Sequence, residues 1–275
     1  MNLVEKTPIK RRVKNAIFRS LCWLAAIISV LVLLSVLSEL FYRGVGSLSF
    51  DLLLYDTRSL GLRNAIIGSL IMTLLSIIII TPIAILIATF LVECRHRNRM
   101  VKTIRFINDI LLSTPSVIVG IFTYTLIVAY SRFSALAGVF ALSLIALPII
   151  VRASEDVLFL VSPMLKEAAI ALGVPKWKVI LMIVYRSAKS GLITAVILAT
   201  ARIMGESAPL LFTSAKNSFL SFNLTEAMES LPVMIFENAM QPYPKLQNLA
   251  WTGALIITLL VLIMNLSARW VAKNK

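Results

Sequence analysis

The stretch Glu167-Ala168-Ala169-Ile170-Ala171-Leu172-Gly173-Val174-Pro175-Lys176-Trp177 decides how this chain is read. Ser162-Pro163 before it is a helix start, a capping hydroxyl followed by proline at the first helical position, where its missing N–H costs nothing. Gly173 is a helix stop, because glycine takes the left-handed conformation without strain. Between them Met164–Leu172 makes a short helix, and Pro175 opens another through Trp177. Ala168, Ala169 and Ala171 leave room for another backbone, and Glu167 offers it a carboxylate. On these residues alone the segment is either a surface linker or a docking helix.

What surrounds it is apolar. Of 275 residues 59% are hydrophobic and 15% charged, with a mean hydropathy of +0.91. Soluble domains hold about 45–50% apolar and about 25% charged residues, so a polytopic, all-α membrane protein is expected. Charge-free runs mark five spans, Ser20–Ser38, Asn64–Val92, Ile110–Ser131, Phe133–Val151 and Leu246–Ala268. A sixth, about Ser190–Phe212, carries Arg202 and Glu206 inside it. The first run is longer than a signal-peptide core, and Glu39-Leu40-Phe41-Tyr42-Arg43 after it offers no small-residue cleavage site, so it is read as a retained helix. The expected organisation is a tail over 1–19 and a transmembrane bundle over 20–275, with a cytoplasmic loop at about 154–189 and an outer loop at about 213–245.

The net charge of +14 would suggest nucleic acid in a soluble chain. Its distribution says otherwise. Twenty of the 27 Lys and Arg flank the spans on the side of the two termini, six lie on the other side, and Arg202 is within the membrane. The acids divide six and six, so the whole excess sits on one side. By the positive-inside rule that side, with both termini, is cytoplasmic.

Arg202 and Glu206 are one helical turn apart and can pair. An intramembrane charge normally faces a bundle interior or a water cavity. The pair either locks two helices or lines a substrate route, where the planar guanidinium suits phosphate or sulfate oxygens. Gly205 is expected to admit a neighbouring helix closely, and Pro209 to kink the span. The outer loop, with Pro232, Pro242, Pro244 and an apolar Leu231–Phe236, is either a re-entrant or surface helix for an incoming protein or an ordered cap on the bundle. The first outer loop, Phe41–Arg63, is expected to join it. His96 is expected to be solvated, and Cys22 and Cys94 to be reduced thiols on the cytoplasmic side. One histidine and two cysteines make neither a histidine metal cluster nor a disulfide framework. No Gly-x-x-x-x-Gly-Lys-Ser/Thr loop occurs, so this chain does not hydrolyse ATP by the P-loop route.

The Glu167–Trp177 stretch resembles the E-A-A-x-A-L-G-x-x-x-W coupling motif of ABC-importer permeases. In that family the short helix sits in a groove of the ATPase and passes its closure to the membrane helices, which implies this role for Glu167, Ala168, Ala169, Ala171, Leu172, Gly173 and Trp177. The family usually has a proline shortly after the tryptophan. Here Tyr185-Arg186-Ser187-Ala188 follows, so the second helix is expected to run into the fifth span unbroken. Ala201–Thr213 resembles A-R-x-x-G-E-T-A-P-L-L-F-T of the phosphate-importer permease family PstA, with Ser207 replacing threonine. Ser113–Phe122 and Leu231–Phe236 resemble further elements of the same family. The resemblance implies a six-helix MetI-like bundle in the inner (cytoplasmic) membrane that is a transport subunit and not an enzyme. It implies a translocation route or gate at Arg202, Glu206, Ser207 and Pro209. It implies a PstC-like homologous permease, two PstB-like subunits that bind ATP and Mg²⁺, and a PstS-like phosphate-binding protein, with no cofactor on this chain. Import of sulfate or molybdate by the same architecture is the nearest alternative, and a stand-alone secondary transporter a more distant one.

Overall fold

A computed structural model describes residues 9–94 and 99–273. Arg95, His96 and Arg97, and residues 1–8 of the expected tail, lie outside the described residues. The main elements are α1 (Ile9–Gly46), α2 (Arg63–Glu93), α3 (Arg99–Ser113), α4 (Ser116–Leu126), α5 (Ala135–Phe159), α6 (Pro163–Ala171), α7 (Lys176–Met204), α8 (Ala208–Leu211), α9 (Leu231–Ala239) and α10 (Pro244–Lys273). Five of these helices are long and apolar enough to cross a membrane. The α3–α4 pair, bent by 105°, brings the number to six if it counts as one span.

The core is the pairing of α2 with α5, onto which α7 closes; α10 packs on α7 and α9 and meets only the start of α2. Lipid gives no hydrophobic drive for helices to associate, so tight packing and polar contacts must hold them. The seam accordingly uses small residues, among them Ser76, Ala84, Ala141 and Ala146, all buried. Ser76 donates its hydroxyl to the Val139 carbonyl across the seam at 3.0 Å as well as to Met72 in its own helix. By contrast α1 is exposed along most of its length and meets α10 near its C-terminal end, where Arg43 stacks 5.5 Å from the Trp251 ring.

Three expectations about the spans change. The third, Ile110–Ser131, is not one helix. Pro115 keeps Thr114 out of the helical region and supplies no N–H, so α3 ends at Ser113 and α4 departs at 105°. Arg99, Lys102 and Arg105, placed in a loop by charge, lie on α3. Arg105 pins α3 to α5 through Glu155 at 2.5 Å, and Asn108 donates to the Pro148 carbonyl.

The sixth span, expected at about Ser190–Phe212, begins earlier and ends at Met204. Pro209 starts the short α8 instead of kinking a long helix. Gly205 faces open space, so it admits no neighbouring helix within this chain.

The cytoplasmic loop expected over 154–189 is mostly helical. α5 runs on to Phe159, with Ser154 and Glu155 buried, and α7 is continuous from Lys176. A π-helical turn at Ile180–Val184 absorbs the join, so the helix after Trp177 runs unbroken as expected.

Candidate functional site

The end of α7, the α3–α4 elbow and α5 enclose a cleft of about 360 Å³. Leu111, Thr114 and Ser116 of the elbow face Ile145, Pro148 and Ile149 of α5, with Arg202 and Glu206 completing the wall. The lining is apolar apart from the elbow hydroxyls and this charged pair. Arg202 Nη2 lies 3.3 Å from Glu206 Oε1. The arginine side chain is 65% exposed and the glutamate 13%. A mostly open guanidinium therefore leans on a mostly covered carboxylate, and its remaining N–H groups are free to meet another acceptor.

The local chain path explains this placement. α7 stops at Met204, so Glu206 stands just past the helix end, with its backbone N–H donating to the Ile203 carbonyl. Ser207 caps α8 through its carbonyl, which accepts from Leu211 N at 3.1 Å. Pro209 is buried beneath α4, where a Cβ on Gly120 would lie 2.8 Å from the Pro209 Cα. Of the four residues expected on the route, Arg202 and Glu206 line the cleft, whereas Ser207 and Pro209 build its support.

At the other end of α7, α6 forms where the sequence places it. Gly173 takes φ +79°, its N–H donates to Ile170, and Val174 N–H donates to Ala169, so the last carbonyls of α6 are satisfied. Ala169 is buried, while Glu167, Ala168, Ala171, Leu172, Gly173 and Trp177 are exposed. With Met164 and Ile170 they form an apolar surface unusual for a water-facing helix. Lys166 pairs with Glu93 at the end of α2 and anchors α6 to the bundle.

The outer loop resolves in favour of an ordered cap. Leu231, Pro232, Val233 and Met234 of α9 are buried against α2 and α10. The first outer loop joins it as expected, through Arg58 N to the Ser218 carbonyl and Leu220 N to Asp56 Oδ2.

Glu229, which the sequence suggests is an ordinary outer charge, is 1% exposed, and its carboxylate has no well-formed hydrogen bond, only a weak approach of the Asn217 backbone N–H. Burial pushes its pKa up to about 8. The Lys216 charge opposes this and Glu237 reinforces it. Lys216 bonds Glu237 at 2.9 Å, which raises the lysine pKa. No local pattern marks Glu229, because its backbone is seated against Gly68 of α2, more than 150 residues earlier in the chain.

Comparison with known proteins places the chain. Residues 80–275 match the family described as "Binding-protein-dependent transport system inner membrane component". The chain is 44% identical to the phosphate transport system permease protein PstA of Haemophilus influenzae, over 96% of each chain. It is 43% identical to PstA of Yersinia pestis, covering 96% of this chain and 92% of that one. It is 30% identical to PstA 1 of Mycobacterium tuberculosis, over 97% and 91%. Among solved structures, the inward-facing MetNI methionine ABC transporter superposes with a TM-score of 0.66 at 19% identity, over 82% of this chain and 98% of that one. A bacterial alginate ABC transporter superposes with a TM-score of 0.70 at 15% identity, over 96% of each. These likenesses carry the fold, a MetI-like permease bundle. The chain, a multi-pass membrane protein, belongs to the family of inner membrane components of binding-protein-dependent transport systems.

Proposed function

We propose that this chain is the permease subunit of an ABC importer for inorganic phosphate. The observation that carries the reading is the Arg202–Glu206 pair on the wall of the cleft. A phosphate entering the cleft offers the guanidinium two oxygens in place of the single Glu206 oxygen, and the planar fork accepts them together. Glu206 neutralises Arg202 when the cleft is empty, which avoids an isolated charge at membrane depth. The family and the named role of the relatives support phosphate over other oxyanions.

The coupling element is α6. Its exposed Glu167, Ala168, Ala171 and Leu172, with Trp177, suit docking on an ATPase subunit. Trp177 and Arg202 stand on the same unbroken helix, about 38 Å apart at 1.5 Å per residue. A push on α6 thus reaches the cleft through α7, and reaches α2 through Lys166–Glu93. ATP and Mg²⁺ belong to the ATPase partners, of which two PstB-like copies are expected. A PstC-like permease completes the pathway, and a PstS-like protein delivers phosphate from the side opposite the termini. The positive-inside distribution supports cytoplasmic termini.

The test is uptake of radiolabelled phosphate by cells carrying the assembled transporter, competed with sulfate and molybdate. Phosphate uptake that resists both competitors and requires the ATPase subunit supports the reading. Uptake indifferent to phosphate, or driven by an ion gradient through this chain alone, overturns it.

A further inference from the structure

An open groove of about 630 Å³ runs between α2 and α7 on the side of the bundle away from the cleft. Its walls are apolar, with Pro82, Ile85 and Leu86 on α2 and Leu181, Leu192 and Ile193 on α7. Arg186 and Lys189 stand at its rim, both exposed and neither in an ion pair with any described residue. They precede Arg202 on α7 by 16 and 13 positions, which turns them roughly 140–160° around the helix from it. The groove therefore faces away from the candidate substrate route.

Its level in the membrane follows from the helix ends. α2 finishes at Glu93 beside α6, and Leu86 lies about 10 Å short of that end. With Tyr185 level with Thr89, Arg186 to Ile193 on α7 runs alongside about Thr89 to Pro82 in the opposite direction. Tyr185 closes the junction, its hydroxyl 2.8 Å from the Thr89 hydroxyl. The groove thus begins at the basic, headgroup-level end of the bundle and passes into the hydrocarbon region. Two unpaired cations above an apolar trough match one anionic head with a chain attached. A protein helix in this place would have to bring acidic side chains to the membrane boundary to satisfy the same cations.

We infer that the α2–α7 groove is a binding site for an anionic glycerophospholipid, its phosphate held by Arg186 and Lys189 and an acyl chain lying between Leu86 and Ile193. The long basic side chains reach the headgroup level from partly apolar stems. Each contributes attraction for an anionic head.

The experiment uses the assembled transporter in vesicles of phosphatidylcholine doped with photoactivatable phosphatidylglycerol carrying its reactive group on the acyl chain. Labelling is expected at Pro82–Leu86 and Leu192–Ile193, diluted by unlabelled phosphatidylglycerol and not by phosphatidylcholine. The double substitution Arg186→Ala and Lys189→Ala is expected to lower it by roughly tenfold or more, and the exchange Arg186→Lys with Lys189→Arg to keep it. Equal labelling by a phosphatidylcholine probe overturns the inference, and so does no labelling of the groove. Cross-linking of Ile193→Cys to the partner permease also overturns it, by making the groove a subunit interface. The competition in the unmodified protein decides the matter even where the double alanine variant fails to assemble.

Discussion

The backbone carbonyl of Glu229 rests directly on Gly68 of α2, where any side chain at residue 68 would overlap it. The neighbouring Ser69 hydroxyl accepts the Leu231 N–H at 2.7 Å, so the outer cap is fastened to α2 at two adjacent points. Gly68→Ala forces this contact apart. Overpacking of this kind costs about 1–3 kcal/mol, seen as a lower Tm of the purified protein. An unchanged Tm would show that the cap is not seated there.

Glu229 makes stability depend on pH. Its pKa is about 8 when folded against an ordinary value of 4.5, so the folded state holds the proton more tightly. That contribution is fully present below 4.5 and is lost as pH rises through about 8. Glu229→Gln, which cannot ionise, is expected to gain on the parent progressively between these limits, reaching the order of 2–3 kcal/mol near neutral pH. Parallel Tm curves for parent and variant across that window would contradict the assignment. Lys216 and Glu237 face the same carboxyl, so Lys216→Met is expected to extend the parent's loss to higher pH.

At the cleft, Arg202→Ala is expected to abolish phosphate uptake while the assembled complex is still recovered by affinity capture. Arg202→Lys keeps the charge and loses the planar fork, so uptake should fall by roughly tenfold or more and not vanish. Uptake surviving Arg202→Ala removes the pathway role.

On α6, Glu167→Lys reverses the one carboxylate on the exposed face and is expected to reduce recovery of the ATPase subunit with the permease. Lys166, next to it, points to Glu93 instead. Lys166→Ala should therefore leave recruitment intact while weakening transport per ATP hydrolysed. Loss of recruitment in both variants would mean that α6 is merely misfolded.

The Arg105–Glu155 pair tests the elbow. Glu155 is 8% exposed, so Arg105→Ala strands a buried carboxylate. Breaking a buried pair in this way costs about 3–5 kcal/mol. The double substitution Arg105→Met and Glu155→Leu should recover most of the lost Tm. If it does not, the pair is a minor contact.

Much of the bundle is legible in the chain itself. α6 begins at Pro163 and ends before Gly173 as the serine–proline start and glycine stop imply, because caps are satisfied within a few residues. The elbow is harder to see. Hydropathy over Ile110–Ser131 is uniformly apolar and carries no direction, although Pro115 marks the break. Gly205 and Pro209 are likewise a stop and a start, and their proximity to Arg202 and Glu206 made one long span look continuous. Ser207 and Pro209 belong to the stretch whose family resemblance implies a route, yet Pro209 is turned under α4 against Gly120.

The sequence by itself determined the number of apolar segments, the side on which the basic residues gather and the start and end of α6. Each depends on sums or caps over a few neighbouring residues, which water and lipid read locally. Only the tertiary structure decided that Arg202 and Glu206 share a cleft with Thr114 and Ser116, that Glu229 is buried beside Lys216 and Glu237, and that Arg186 and Lys189 stand over an apolar groove. Those facts depend on segments far apart in the chain meeting at close range, and on a proline's direction, which no local hydropathy records.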